Sequence, residues 1–432
     1  MKVTRRDFLK VGGGAAALAT LGFSGMALGK PARGRVVVVG GGIGGSTTAK
    51  YLRMMDPGIE VTLIEPNKQY FTCFMSNEVL SGERSLDSIK FGYNGLAKHG
   101  VNVVHDAVTA IDPVAKKVTT AGGKTFSYDH AVVSPGVSLK YEAVAGYSEK
   151  VAEKIPHAWK AGPQTALLRK QIESMKDGGT VVMVAPPNPY RCPPGPYERV
   201  SQIAWYLKNH KPKSKIIVLD PKDAFSKQGL FVAGWKKYYG YETDNSLITW
   251  VSGAQGGKVE SIDAGNLSVQ ADIEKFNADV LNVIPPQKAG AIAFAAGLTE
   301  GDWCPVNQKT FESTKHKSIH VIGDACVAGS MPKSGYAANS QAKVCAAAIV
   351  AALNGADAPE PSYVNTCYSI IMPNDAVSVA GVYRLGADGK IADVKGAGGL
   401  TPGYADTTME MRQREVVYAH SWFKNITTDV FG

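Results

Sequence analysis

Short β-branched runs alternate along the chain with longer stretches in which apolar side chains recur at helical spacing. Four of these runs lie at residues 35–39, 61–65, 179–185 and 214–220. Runs that are apolar at nearly every position are typical of parallel strands, which are buried on both faces. The first and third runs are each followed by a turn and a helical stretch. The pattern therefore predicts an α/β fold with two Rossmann-like βαβ units.

The turn after the first run carries a dinucleotide fingerprint. Gly40, Gly42 and Gly45 satisfy the pattern G-x-G-x-x-G. The first glycine allows a tight turn, the second lets the backbone approach a pyrophosphate, and the third lets the helix pack on the strand. Glu65 ends the second strand twenty residues beyond Gly45 and is placed to hold a ribose hydroxyl. Because a carboxylate repels a 2'-phosphate, the predicted ligand is FAD or NAD rather than NADP.

Two later segments favour FAD over NAD. Residues 129–136 read as a strand that ends in a turn at Gly136, and residues 318–325 read as a strand that ends at Asp324. In flavoproteins resembling glutathione reductase, two such segments close the FAD domain and the aspartate binds the ribityl chain. The predicted architecture is a discontinuous FAD-binding domain, a second Rossmann-like domain and a smaller C-terminal domain that covers the flavin, at residues 35–150 with 285–360, at 151–284 and at 361–432.

The second βαβ unit has an unusual turn. Residues 186–198 are rich in proline and contain a single glycine, where a pyrophosphate would need bare backbone N–H donors. Proline lacks the N–H group and restricts the backbone. We therefore predict that this domain keeps the fold but has lost the nicotinamide nucleotide, so that electrons enter from another source.

Three cysteine-containing segments carry a specific resemblance. Residues 189–199 read Pro-Tyr-Arg-Cys-Pro-Pro-Gly-Pro-Tyr-Glu-Arg, Cys73 ends Tyr-Phe-Thr-Cys, and Cys367 lies in Asn-Thr-Cys-Tyr-Ser. Together they resemble flavocytochrome c sulfide dehydrogenase, over essentially the whole chain after its N-terminal signal. The resemblance implies a thioether from Cys73 to the flavin 8α-methyl group and a redox-active disulfide between Cys192 and Cys367. A buried structural cysteine and an inert disulfide are the alternatives.

The implied chemistry is the oxidation of hydrosulfide to sulfur or polysulfide. Hydrosulfide is a strong nucleophile and an exposed or strained disulfide is a good electrophile, so attack yields a persulfide and a thiolate whose electrons can pass to FAD. Glu198, six residues after Cys192, is a candidate for moving protons. Its alternative role is to complement the dipole of a helix that begins nearby.

Two further residues are candidates for contact with the cofactor. Lys333 precedes a helix that extends through Ala351, and in related flavoproteins that helix points its N-terminus at the flavin pyrimidine. Trp422 resembles a family aromatic residue close to the flavin. A solvated lysine and a core tryptophan are the alternatives.

The electron acceptor is expected on another chain. No C-x-x-C-H haem attachment motif occurs in the sequence, and the resemblance implies a separate c-type cytochrome subunit in a heterodimer. A sulfide:quinone oxidoreductase ranks second, because charges interrupt any apolar face between residues 404 and 432. A non-catalytic flavin-binding redox subunit is a third reading, and an NADH-dependent disulfide reductase is disfavoured by the proline-rich turn.

The first thirty residues are expected to lie outside the fold. Arg5 and Arg6, followed by a weakly apolar run to Gly29, resemble a twin-arginine export signal. An uncleaved anchor is the alternative, but a run this rich in Gly and Ala partitions poorly into hydrocarbon. We therefore expect cleavage near Gly29 and a periplasmic protein, without stable membrane insertion, in a compartment that permits disulfides.

Composition excludes some other classes. The net charge is +9, yet Lys and Arg form no block or stripe interleaved with aromatic residues, so we expect no nucleic-acid binding. None of the six cysteines stands in a C-x-x-C pair, so we expect no bound metal. Cys304, Cys326 and Cys345 are interpreted as small hydrophobic residues of the core.

Overall fold

A five-stranded parallel sheet forms the centre of the first βαβ unit in the computed structural model, which describes residues 33–432. Its strands lie in the order Asn102–Val104, Ile59–Ile64, Gly34–Val39, His130–Val133 and Ile319–Val321. This order places the first strand at the centre and brings the edge strand from far downstream. The sheet therefore joins the two segments predicted to share the FAD-binding domain. The predicted export signal lies outside the described residues.

Two long helices and two small antiparallel sheets complete this half of the molecule. The helices Ile43–Met55 and Gly335–Leu353 pack against each other, and the first of them follows the glycine turn directly. The small sheets contain the strands Tyr70–Phe71 with Lys90–Phe91, and Val108–Asp112, Lys117–Thr120 and Thr125–Ser127. The central strand is almost entirely buried, as its run of valines predicts.

A four-stranded parallel sheet forms the second unit. Its strands lie in the order Ile248–Val251, Lys215–Leu219, Thr180–Val184 and Val280–Val283. The helices of this unit are Pro163–Ser174, Gly195–His210 and Gln228–Tyr239, and its antiparallel strands are Val259–Asp263, Ser268–Ala271 and Lys275–Asn277. The chain enters and leaves this unit through an antiparallel pair, Val137–Leu139 with Gln287–Ala289.

The helix after the proline-rich turn begins earlier than the sequence pattern suggests. The sequence pattern predicts a helix at residues 200–209. In the structure the helix starts at Gly195, so that Pro196 and Glu198 lie in its first turn. Proline is tolerated there because the first N–H groups of a helix have no acceptor within the helix. Shorter helical segments are Ser76–Ser81, Asn94–Lys98, Glu149–Ala152 and Ala291–Ala295, with 3-10 turns at Leu86–Ile89, Tyr141–Ala143, Gly253–Gln255 and Gly323–Ala325.

The C-terminal region is a sheet covered by one long helix. The sheet strands are Tyr363–Met372, Asp375–Leu385, Ile391–Asp393 and Gly399–Leu400, and the C-terminal helix is Met409–Phe431. The Thr408 side chain accepts a hydrogen bond from the Met411 backbone N–H and caps this helix. Its buried residues recur every three or four positions and face the sheet and the first half of the molecule.

Polar contacts hold the C-terminal helix at both ends. Near its start, Arg412 and Asp375 form a 2.6 Å ion pair whose two side chains are fully inaccessible to solvent. Near its end, Asp429 accepts hydrogen bonds from Tyr51 at 2.7 Å and from Asn339 at 2.9 Å. The C-terminal helix is therefore joined to both long helices of the first half, which sets the position of residues along it.

The predicted fold class is confirmed: two Rossmann-like units are present, together with a smaller C-terminal region. Residues 33–432 belong to one compact unit, so the domain boundaries at 150, 285 and 361 stay predictions. Within these residues no helix has both the length and the apolarity to cross a membrane. The same residues include no group of three or more His, Cys, Asp or Glu side chains arranged to hold a metal ion.

Candidate functional site

A groove of 490 Å³ lies at the carboxyl end of the first sheet. Six of the residues singled out in the sequence line it, namely Gly40, Gly42, Glu65, Cys73, Gly136 and Asp324. Gly45 does not line the groove. Ligands of open parallel sheets bind at this edge, outside the carboxyl ends of the strands.

The glycine turn has the geometry that its fingerprint requires. Gly40 has a φ of +98°, and a Cβ atom there would lie 2.4 Å from the Ser134 carbonyl oxygen. A Cβ atom at Gly45 would lie 1.8 Å from the Gly40 carbonyl oxygen, so only glycine lets the helix approach the strand. At Gly42 the nearest atom would be in Tyr70 at 3.6 Å, which leaves its backbone open to the groove.

Two carboxylates, those of Glu65 and Asp324, line the groove. Glu65 accepts hydrogen bonds from the Gly41 N–H at 2.8 Å and the Asn67 N–H at 2.9 Å, which fixes its carboxylate beside the glycine turn. Asp324 follows Gly323, whose φ is +74°, and its Oδ1 atom is buried without a partner in the described structure. Desolvation raises the pKa of Asp324.

These features fit FAD. A buried acceptor with no donor costs free energy, which a ribityl hydroxyl group would recover by donating to Asp324. The open backbone at Gly42 and the N-terminus of the helix Ile43–Met55 suit a pyrophosphate. The carboxylate of Glu65 suits a ribose diol. The acceptors and the helix N-terminus that line the groove therefore match the polar groups of the predicted cofactor.

Lys333 makes hydrogen bonds to backbone groups beside the groove. Its ammonium group donates to the carbonyl oxygens of Asp324 at 2.8 Å and Cys326 at 2.9 Å and lies 3.8 Å from the centre of the Trp303 ring. It lines a separate cavity of 310 Å³ rather than the groove. Its carbonyl oxygen accepts a hydrogen bond from the Cys192 N–H at 2.7 Å, so Lys333 positions the cysteine loop.

A second, smaller cavity adjoins the groove, and we call it the thiol cavity. It has a volume of 50 Å³ and is lined by Cys73, Cys192, Glu198, Trp422 and other residues. Cys73 lines both the groove and the thiol cavity, as does Arg191. A ligand bound along the groove therefore has one end beside the sulfur atoms.

Cys73 lies between a short strand and a short helix. It follows the strand Tyr70–Phe71, and its carbonyl oxygen accepts hydrogen bonds from the backbone N–H of Ser76 at 3.3 Å and from the hydroxyl group of Ser76 at 2.6 Å. Desolvation raises the pKa of the Cys73 thiol. The loop therefore presents this sulfur to the junction of the groove and the thiol cavity.

Cys192 lines this cavity, and Cys367, from a distant part of the chain, lies close enough to act on it electrostatically. Cys192 has a left-handed backbone, with a φ of +60°, and a Cβ atom at Gly195 would lie 2.9 Å from its Sγ atom. Desolvation raises the pKa of Cys192 well above its usual range, and the neighbouring Cys367 raises it further. All six cysteines are free thiols in the structure, so the implied disulfide stays a prediction.

Glu198 points into the thiol cavity. One carboxylate oxygen accepts from the Asn77 side-chain amide at 2.8 Å and the other from the Ile370 N–H at 2.8 Å. Desolvation raises the pKa of Glu198, which favours the protonated carboxyl group. Complementing the helix dipole does not require this inward placement, so the geometry favours the proton-transfer reading.

Lys227 is a site residue that sequence reasoning missed. It is 6% exposed, and its ammonium group donates to the Cys367 carbonyl oxygen at 2.9 Å and the Ser369 hydroxyl at 2.8 Å. Burial lowers the pKa of Lys227 to about 8, against the opposing effects of Cys367 and Glu198. Because 140 residues separate Lys227 from Cys367, no local sequence signal connects them.

Arg191 is a second missed residue, although its motif contained a signal. It stands beside Cys192 in the Pro-Tyr-Arg-Cys segment and lines both the groove and the thiol cavity. Its Nε atom is buried without a partner in the described structure. The charges of Cys73 and Asp324 act on it, so a permanent cation lies where the two cavities meet.

Trp422 connects the thiol cavity with the molecular surface. It lines the thiol cavity and also a surface cavity of 580 Å³ between the C-terminal helix and the helix Gly335–Leu353. Its ring is nearly parallel to the Tyr336 ring, with centroids 5.9 Å apart. The C-terminal helix thus places an aromatic pair between the candidate site and solvent.

In the second βαβ unit, the carboxylate at the ribose-binding position is hydrogen-bonded by the protein's own side chains. Asp220 directly follows the second strand, where a ribose-binding acid would stand, and is fully inaccessible to solvent. It accepts from the Tyr197 hydroxyl at 2.6 Å and from the Lys222 ammonium group at 2.6 Å. Lys222 also donates to the Pro186 carbonyl oxygen at 2.6 Å, across the turn. These contacts support the predicted loss of the nicotinamide nucleotide.

Protein-family models match the chain in four places. A model described as "Sulfide dehydrogenase [flavocytochrome c] flavoprotein chain, central" matches residues 165–285, and "Flavocytochrome c sulphide dehydrogenase, flavin-binding" matches residues 359–431. "Pyridine nucleotide-disulphide oxidoreductase" matches residues 34–169, and a twin-arginine signal sequence matches residues 2–22. The predicted twin-arginine signal is therefore confirmed.

Individual proteins are similar in sequence or in fold. The chain is 64% identical over 45 residues to the flavoprotein chain of flavocytochrome c sulfide dehydrogenase from Chlorobaculum thiosulfatiphilum, covering 10% of this chain and 94% of that sequence. It is 23% identical over 317 residues to mitochondrial sulfide:quinone oxidoreductase from Mus musculus, covering 67% of this chain and 65% of the mouse protein. The sulfide:quinone oxidoreductase structure from Aquifex aeolicus matches at 19% identity with a TM-score of 0.65, covering 91% of this chain and 92% of that one.

Proposed function

The chain belongs to the family of flavocytochrome c sulfide dehydrogenase flavoprotein chains, and we propose that it oxidises hydrosulfide with FAD as its cofactor. One observation carries the proposal. Cys192 and Glu198 line a thiol cavity that adjoins a groove suited to a dinucleotide, and Cys367 lies close enough to Cys192 to raise its pKa. Two sulfur atoms that a nucleophile can attack therefore lie near the expected position of the flavin. A group that can bind a proton lies there too.

The cofactor would be held along the groove and attached at Cys73. Glu65 would bind the ribose, the glycine turn would receive the pyrophosphate, and Asp324 would accept a hydrogen bond from the ribityl chain. The Cys73 sulfur lies where the groove meets the thiol cavity, which supports a thioether to the flavin 8α-methyl group. When bound, FAD accepts a pair of electrons and passes them on singly.

The sulfur chemistry begins with a Cys192–Cys367 disulfide. Hydrosulfide attacks one sulfur atom, the S–S bond breaks, and the products are a persulfide on one cysteine and a thiolate on the other (HS⁻ + R–S–S–R' → R–S–SH + R'–S⁻). Removal of two electrons and the persulfide proton restores the disulfide and leaves sulfur at oxidation state zero. Further hydrosulfide can extend this sulfur to polysulfide.

Charged neighbours assist both products of that attack. Lys227 lies beside Cys367 and stabilises a thiolate there by its positive charge. Glu198 lines the same cavity as Cys192, and its raised pKa suits it to take up and release the proton of the persulfide. Arg191 adds a second positive charge at the entrance from the groove, which favours the anionic substrate.

We propose a c-type cytochrome subunit as the acceptor and the periplasm as the location, with the signal cleaved near Gly29. The twin-arginine signal supports export. The stacked pair of Trp422 and Tyr336 reaches from the thiol cavity to a surface cavity and supports transfer of electrons at the C-terminal face. This face is the proposed docking surface for the cytochrome.

A quinone is the second candidate acceptor, because the mouse and Aquifex relatives are sulfide:quinone oxidoreductases. Steady-state assays with cytochrome c and with a soluble ubiquinone analogue distinguish the two. Reduction of cytochrome c at a rate that exceeds quinone reduction supports the first acceptor. The opposite ratio would replace the cytochrome with a quinone and leave the sulfide chemistry intact.

The decisive experiment is an anaerobic titration of the purified flavoprotein, followed by the absorbance of oxidised flavin. We expect bleaching by stoichiometric sulfide and none by NADH. Reduction by NADH would show that the second unit still binds a nicotinamide nucleotide. No reduction by sulfide would overturn the proposed function and favour a non-catalytic flavin-binding redox subunit.

A further inference from the structure

The proposed reaction releases a proton inside the protein, and the inference below rests on that function. Oxidation of one hydrosulfide ion to sulfur yields two electrons and one proton (HS⁻ → S + H⁺ + 2 e⁻). An acceptor that takes electrons singly at a haem takes up no proton, so over a full turnover the proton must reach solvent by another path. Glu198, the proton-binding group of the thiol cavity, is therefore expected to have a connection to the surface.

A separate cavity shares Ile370 with the thiol cavity. It has a volume of 90 Å³ and is lined by Glu78, Gln202, Ile370 and His420, among other residues. We call it the His420 cavity. Ile370 lines both cavities, so the two spaces share a wall at this residue.

Gln202 connects Glu198 to the His420 cavity. It stands one helical turn after Glu198 and donates from Nε2 to the Ile370 carbonyl oxygen at 2.8 Å, while the Ile370 N–H donates to Glu198 at 2.8 Å. The Oε1 atom of Gln202 is buried without a hydrogen-bond partner in the described structure. An unpaired buried acceptor costs about 1–3 kcal/mol, so this oxygen is a binding point for a donor.

Water is the donor that fits. A cavity needs about 10–15 Å³ to hold one water molecule, and the His420 cavity provides 90 Å³. Its lining is polar, with two carboxylates, a guanidinium, an amide and an imidazole, from Glu78, Glu83, Arg84, Gln202 and His420. A short chain of water molecules therefore has both room and hydrogen-bond partners there.

The outer end of the cavity carries a titratable group that reaches solvent. The His420 side chain is 44% exposed, and its Nε2 atom lies 2.7 Å from Glu78 Oε1. Arg84 donates to the other oxygen of Glu78 at 2.6 Å, which fixes the carboxylate and thereby orients the imidazole. At the inner end, burial raises the pKa of Glu198 most, while the positive charge of Lys227 lowers it and the negative charge of Glu78 raises it. A positive imidazole at this place is compensated by Glu78.

We propose that the His420 cavity conducts the proton of each turnover from Glu198 to solvent. The Glu198 carboxyl group gives its proton to water bound at Gln202, the imidazole of His420 accepts it from that water, and His420 releases it to the medium. Glu198 returns to the carboxylate and can accept the next proton from the thiol cavity. His420 and Gln202 touch neither substrate nor cofactor, so both are positioning residues of a proton route.

The test uses the full flavoprotein with cytochrome c as acceptor, with the enzyme-free rate subtracted. In His420→Ala we expect steady-state turnover to fall on the order of tenfold and to recover when imidazole is added. The matched control is His210→Ala, an exposed histidine at the end of the helix that carries Glu198. That variant should keep wild-type turnover and show no response to imidazole.

Recovery of turnover by added imidazole distinguishes a role of His420 in proton transfer from a purely structural role. A destabilised His420→Ala variant would be slow with or without imidazole, and that result would overturn the route, as would unchanged turnover. Gln202→Leu removes the water-binding oxygen while His420 remains, so we expect slow turnover that imidazole does not restore. A Gln202→Leu variant with wild-type turnover would also contradict the route.

The anaerobic sulfide titration distinguishes failure of this inference from failure of the proposed function. Its end point depends on electrons alone and should be the same for wild type and His420→Ala. If sulfide does not bleach the wild-type flavin, the proposed function fails and the proton route fails with it. If sulfide bleaches both proteins and their turnover is equal, only the proton route is overturned.

Discussion

At the scale of single residues, the sulfur atoms differ from one another mainly by what surrounds them. Cys304 and Cys345 lie in the hydrophobic core, whereas Cys73 and Cys192 line the thiol cavity. Burial raises the pKa values of all four thiols. Reactivity in the second pair therefore depends on access to the cavity and on nearby positive charge.

Replacement of Cys73 tests the covalent flavin. In Cys73→Ser we expect FAD to remain bound under native conditions, because the groove contacts persist, but to be released completely by acid precipitation. Wild-type protein should retain its flavin in the pellet. Cys192→Ser is the matched control and should also retain it. Equal release from wild type and Cys73→Ser would contradict the thioether.

Replacement of Lys227 tests the positive charge beside Cys367. In Lys227→Met we expect the Cys367 thiolate to lose the stabilisation that the positive charge provides, so that flavin reduction by sulfide slows by about tenfold if about 1.4 kcal/mol is lost. Stopped-flow absorbance gives the rate, and the pH profile of alkylation reports the thiolate. Lys236→Met is the control, since that side chain is 51% exposed and pairs with Glu242 at the surface. An unchanged alkylation profile in Lys227→Met would refute this role.

At the scale of elements, the C-terminal helix determines the site from a distance. It places Trp422 beside the thiol cavity and His420 beside Glu78. Its attachment relies on the buried Arg412–Asp375 pair, which Tyr238 and Tyr404 surround with donors to Asp375 at 2.6 Å each. The helix can therefore be loosened by a single substitution far from the sulfur atoms.

We expect Arg412→Met to lower the free energy of unfolding by about 3–5 kcal/mol, because the Asp375 carboxylate would stay buried without its cation. Urea denaturation followed by circular dichroism measures this change. Arg414→Met is the matched control on the same helix, because Arg414 is 54% exposed and pairs with Glu410. That surface pair should contribute less than about 1 kcal/mol. Equal effects of the two substitutions would refute the anchoring role.

At the scale of the whole molecule, the stability of the fold is sensitive to acid because it buries histidine side chains in their neutral form. His320 is 3% exposed and lies 3.1 Å from His130 across neighbouring parallel strands. Burial lowers the pKa of His320 to about 4, and burial also lowers the pKa of His130. The unfolded chain therefore binds more protons than the folded chain between pH 6.5 and pH 4.

The sign of this linkage is a loss of stability with acid. Because the folded pKa lies below the unfolded one, the contribution of His320 is complete above pH 6.5 and is lost as the pH falls towards 4. Between pH 7 and pH 5 the loss is about 2 kcal/mol. We expect His320→Gln to reduce the pH dependence of the free energy of unfolding, measured by urea denaturation, by this amount. The exposed His210→Gln variant should leave it unchanged, and equal behaviour of both variants would contradict the assignment.

The sequence by itself determined the features that depend on neighbours along the chain. The glycine turn at Gly40, the acid at Glu65 and the turn before Asp324 are each encoded within a few residues of a strand end. A backbone turn imposes its requirements on adjacent positions, so the FAD groove and the two Rossmann-like units were predictable. The resemblance at Cys73 and Cys192 extended this prediction to the family.

Only the tertiary structure decided the surroundings of the sulfur atoms. Lys227 reaches Cys367, Gln202 contacts Ile370, and His420 meets Glu78 across long separations in the sequence. Such contacts are set by how sheets and helices pack together, and packing depends on the shape of distant surfaces rather than on any local pattern.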